Sequence, residues 1–138
     1  MAASPYLSPG RLSQILAAIQ CMAIYRSYRL SVSEWASRIH GASGRPVDWQ
    51  VVFSDHPEFF RESPSARGHY ALVYRRALAR QADDNRPELG ENQIHALFKL
   101  AMELHSKAVE EKKDRWWFLP YVVQVVGMLL AFVAGAKL

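Results

Sequence analysis

The side chains able to do chemistry are few and poorly spaced for it. Histidines stand at 40, 56, 69, 95 and 105, with no His-Glu-x-x-His pair and no accompanying cysteine, so the donor spacing that zinc coordination needs is missing. There is no glycine-rich phosphate loop, no Gly-x-Ser-x-Gly elbow, and no nucleophile with a base placed beside it. The single Cys21 lies among Ile15, Leu16, Ile19 and Met22, which excludes a disulfide within the chain and predicts a buried, inert thiol in a reducing compartment. The expectation is a non-enzymatic protein with no catalytic residues, no metal and no cofactor.

What remains is chemistry of attraction. Before position 99 every one of the eleven basic residues is Arg, and residues 1–82 hold ten Arg against five acids. A formal excess of five positive charges favours anionic partners, DNA or RNA or lipid headgroups. Arg26, Arg29 and Arg38 read equally as a solvated rim.

The elements that would carry these residues follow from periodicity. Leu12, Ile15, Leu16, Ile19, Met22 and Ala23 recur at helical spacing within residues 11–28, an amphipathic helix. Ser31-Val32-Ser33-Glu34 is a capping box that must start a second helix, with Leu30 and Trp35 placed to staple it. After the turn-rich 41–44, Pro46 suits the first turn of a third short helix bearing Val47, Trp49, Val51, Val52 and Phe53, stopped by His56-Pro57. The runs 58–62 and 69–75 read as two strands of a hairpin around Ser63-Pro64-Ser65-Ala66-Arg67-Gly68.

In that order, LSVSEWASRIHG followed by VDWQVVFSDHPEFFRESPSARGHYALVYRR resembles the winged helix-turn-helix family over about residues 10–76. The resemblance implies an α+β, mainly helical unit whose third helix enters the major groove while the wing touches the backbone. Carried onto this chain it gives Arg45, Asp48, Gln50 and Ser54 on the groove side and Arg67 and His69 on the wing, with Arg45, Gln50, Arg67 and His69 as the binding candidates. The chain departs from the pattern: the third helix holds Asp48 and Asp55 and no internal Lys or Arg, which suits a protein partner better than phosphates.

Beyond a unit at 1–82, residues 83–93 read as a linker with Pro87 and Gly90. Ile94, Leu97, Ala101, Leu104 and Ala108 then form a two-heptad seam on a stalk helix spanning 94–115, which either docks on the globular unit or pairs with a second copy. From Trp116 to Ala136 the chain runs twenty-one residues without a charge, a length matched to the ~30 Å hydrocarbon core. Trp116, Trp117 and Tyr121 sit where aromatic rings favour headgroups, and Lys112, Lys113 and Arg115 lie outside them. This predicts a single-pass transmembrane helix at the tail, with the N-terminal domain cytoplasmic. Gly127, Ala131 and Gly135 form a small-residue stripe suited to helix packing and a homo-oligomer.

The function expected from the sequence is a membrane-anchored interaction module binding a protein partner and self-associating through stalk and anchor. A membrane-tethered nucleic-acid regulator or sensor is the alternative, and a small membrane-perturbing effector a third reading.

Overall fold

The computed structural model describes residues 4–40, 46–78, 85–115 and 119–136, and the chain divides into two units, 1–105 and 106–138. The fold is α+β and mainly helical, as the sequence predicts. A 3-10 turn at Pro5–Leu7 leads into α1 (Arg11–Ile24), β1 (Arg29–Ser31), α2 (Val32–Arg38), α3 (Trp49–Asp55), β2 (Phe60–Glu62), β3 (His69–Leu72), α4 (Val73–Arg76), α5 (Glu91–Arg115) and α6 (Leu119–Ala136).

α1 turns Ile15, Ala18, Ile19, Met22 and Ala23 into the core. It stops four residues short of the expected span, because Arg29–Ser31 is drawn into a strand by a distant partner. β1 pairs antiparallel with β3, which also pairs with β2, so the sheet order is β1-β3-β2. The strand β1 has no local signature, since three residues are too few for any alternation to show.

At α2 the capping box forms as expected: the Ser31 hydroxyl accepts from Glu34 N–H at 3.3 Å, and Ser31 N–H donates back to Glu34 Oε1 at 3.4 Å. α3 begins later than expected. Its cap is Asp48, whose carboxylate accepts from Val51 N–H at 3.3 Å, and Pro46 stays outside the helix because an aspartate N-cap satisfies a donor that proline cannot. The run expected as a strand through residue 75 leaves the sheet at Leu72; Val73 N–H reaches Phe59 C=O at 2.9 Å and the chain then turns into α4.

The core joins Trp35, Trp49, Val52, Phe53, Phe59, Phe60, Tyr70 and Leu72 to the α1 face. Trp35 donates its indole N–H to Tyr70 C=O at 2.8 Å, tying α2 to the central strand. Leu97 and Ala101 of α5 belong to the same core, so within the unit 1–105 the seam is used for docking. Segment 85–90 packs there too, with Leu89 buried and its N–H on Ala23 C=O at 3.0 Å.

Within the second unit α6 has eighteen residues, about 27 Å at 1.5 Å per residue, against a hydrocarbon core of ~30 Å. No helix among the described residues is long and apolar enough to cross a membrane. The expected span began at Trp116, and Trp116 and Trp117 lie outside the described residues, as does the side chain of Tyr121.

Candidate functional site

Of the four residues expected to bind a partner, Gln50, Arg67 and His69 are described, on α3, in the connection between β2 and β3, and at the head of β3. Arg45 lies outside the described residues. Gln50 sits on α3, where its amide donates to Tyr70 Oη at 2.9 Å and to Ser54 Oγ at 3.1 Å, while Tyr70 in turn donates to Glu62 at 3.2 Å. Gln50 therefore braces helix against sheet rather than standing free to read a groove. Arg67 is exposed in the connection between β2 and β3, beside Gly68, whose φ of +78° closes the turn in a region that favours glycine. His69 heads β3 opposite Ser31. The outward face of α3 is Gln50, Val51 and Ser54, without a cation.

The concentrated charge lies elsewhere, on the outer face of the sheet. Arg29 of β1 and Arg61 of β2 are both in register with Ala71 of β3. Residues in cross-strand register share a face, so two guanidinium side chains flank a methyl group at roughly 9.6 Å backbone spacing, twice the strand separation. The absent bulk at Ala71 is the floor of a cleft of about 180 Å³, lined also by Tyr28, Ser63, Ser65, Arg76 and Arg86. That volume is far above the ~10–15 Å³ of a single-water void.

Two of the four arginines are held and two are free. Arg29 donates to Ser63 Oγ at 3.0 Å and its guanidinium lies 5.8 Å from the Tyr28 ring; Arg86 lies 5.7 Å from the same ring and donates to Leu78 C=O at 2.6 Å. Arg86 Nε is buried without an acceptor. Arg61 and Arg76 make no hydrogen bond or ion pair among the described residues. No described carboxylate lines the cleft. Like charges converging without a counter-charge are repulsive, and a bound anion relieves that repulsion.

Two other polar groupings are structural. Arg75 is fully buried and donates to the carbonyls of Met22, Tyr25, Arg26, Arg86 and Pro87, and burial lowers its pKa from the ordinary arginine value. His56, also fully buried, has Nε2 3.1 Å from Arg11 Nη1 and Nδ1 3.1 Å from Glu58 Oε1. Because Arg11 can only donate, Nε2 accepts and Nδ1–H points at Glu58, which is the neutral ring. Arg11 also reaches Asp55 at 3.0 Å, and Tyr6 donates to Glu58. Burial first, then the hydrogen bond to Glu58, pushes the Tyr6 phenol well above its ordinary value. Cys21 is half-buried rather than fully so, and burial raises its thiol pKa against the opposing pull of Arg38, which makes it a weak nucleophile.

The sequence shows the arginine excess but not the cleft, since the register that aligns 29, 61 and 71 depends on the unsignalled strand β1. Compared with protein-family models, with curated proteins and with solved structures, the chain matches none.

Proposed function

We propose that this chain is a membrane-tethered, non-enzymatic interaction module: the segment 116–136 holds it at a bilayer, and the globular unit, read as winged-helix-like, binds a protein partner. The observation that carries the tether is the surface of α6, where Val122, Val123, Val125, Val126, Met128, Leu129 and Leu130 are all between 46 and 67 % exposed. At 100° per residue these positions sweep roughly 220° of the helix, about twice the apolar stripe of an amphipathic helix on a water-soluble protein. A surface of that kind supports the reading of an apolar surrounding.

The order helix, strand, two short helices and hairpin supports the winged-helix reading. The uncharged α3 face favours a protein partner over phosphates on that side. Gly127, whose position leaves room for a close neighbour, and Ala131 support self-association along α6. The nucleic-acid reading is favoured by the arginine row on the sheet and the unpaired Arg67.

The test is flotation of the full chain with neutral phosphatidylcholine vesicles. The wild-type chain is expected in the lipid fraction and resistant to carbonate extraction, and Val126→Arg with Leu130→Arg is expected to shift most of it to the soluble fraction. A wild-type chain left at the bottom of the gradient, or a double variant that floats equally well, would sink the tether.

A further inference from the structure

We propose that the arginine-lined cleft on the outer sheet face is a binding site for a phosphate monoester. This inference is independent of the membrane reading. The cleft is concave and closed below by Ala71, so it takes the end of a molecule rather than a continuous strand. Its donors are guanidiniums, whose planar forks match phosphate oxygens two at a time. A phosphate monoester carries ~1.5 to 2 negative charges near neutral pH and three unsubstituted oxygens, against one charge and two such oxygens on a diester in a nucleic-acid backbone. Four arginines around one small volume, with no described carboxylate, call for the denser charge.

The site is partly organised beforehand. Arg29 is fixed by Ser63 and Tyr28, and Arg86 by Leu78 C=O and Tyr28, so these two lose little freedom on binding. Arg61 and Arg76, unpaired, swing in to complete the cage. The Ser65 hydroxyl, 3.2 Å from Ser63 Oγ and 3.5 Å from Arg29 Nη1, is a further donor at the rim. The same phosphate chemistry is offered by a soluble metabolite and by a lipid headgroup such as phosphatidic acid.

The experiment uses the full chain in neutral detergent, which holds it whether or not 116–136 is a membrane segment. Calorimetric titration compares glycerol 3-phosphate in solution with phosphatidic acid doped into the same micelles. At least one should bind with one-to-one stoichiometry, and Arg61→Gln with Arg76→Gln should weaken it about tenfold or more, while Arg67→Gln outside the cleft changes it less than about twofold. Both cleft substitutions remove side chains that make no hydrogen bond or ion pair among the described residues, and an unchanged melting temperature separates lost binding from lost folding. Tighter binding of the doped lipid assigns a headgroup, and tighter binding of the soluble compound assigns a free metabolite; either supports the site. No binding by either probe, equal weakening by Arg67→Gln, or equal competition by an oligonucleotide lacking terminal phosphates would overturn it.

Discussion

Arg75 shows how much a single side chain can organise. Its guanidinium is spent on five carbonyls at the end of α1 and in segment 85–90, of which Arg26 C=O also accepts from Asn85 Nδ2. Replacing it with Leu leaves several buried acceptors empty, and we expect urea unfolding of the Arg75→Leu chain to show a loss of about 3 kcal/mol or more. Arg75→Lys should recover less than half of that, because an ammonium cannot fan out over five acceptors. Nothing in the sequence marks this arginine apart from Arg76 beside it. One is buried and structural, the other half-exposed and lining the cleft, and only the turn of α4 decides which is which. The same holds for Gln50, a groove-reading candidate by position that is committed to Tyr70 and Ser54 instead.

The elements were more legible than the residues where their signals are local. The capping box at Ser31 and Glu34 acts within one helical turn, and α2 starts where it says. Ser31→Ala should destabilise the fold by about 1 kcal/mol in chemical denaturation, with Ser31→Asp or Ser31→Thr close to wild type. Elements defined by distant partners were not legible. β1 is three residues whose pairing lies some forty positions downstream, and without it neither the sheet order nor the row of Arg29, Ala71 and Arg61 can be written down. The start of α3 expected at Pro46 gives way to a cap at Asp48, because only the aspartate offers a side-chain acceptor to the first turn. For α5 the seam was visible, but the choice between the core and a second copy turns on the shape of the core, which periodicity does not contain.

At the scale of the globular unit, stability and pH are linked through His56. Burial holds the ring below the usual histidine pKa, against the pull of Glu58, and the groups facing it are Arg11, Asp55, Glu58 and Tyr6. In the unfolded chain this histidine takes up a proton below about pH 6.5, which the folded ring resists. Its contribution is therefore complete above that pH and is lost as pH falls. Thermal melts between pH 7.5 and 5.5 should show a declining midpoint that flattens in His56→Asn, which keeps an N–H for Glu58 but cannot be protonated; an equal decline in both would refute the assignment. The expected anchor is legible only in part at this scale. The absence of charge over 116–136 is plain in the sequence, whereas the described helix covers 119–136 of it.

The sheet order has a consequence for how the chain is made. During synthesis α1 leaves the ribosome with Ile15, Ile19 and Met22 already on one face, yet the strand that closes β1 comes at residues 69–72 and the last core side chain, Ala101, thirty residues after that. At about 5–20 residues per second, the nascent chain carries that uncovered apolar face for roughly 4 to 15 seconds. For that interval the growing polypeptide is a client for whatever binds greasy helices in the cell, and its native core is among the last things it acquires.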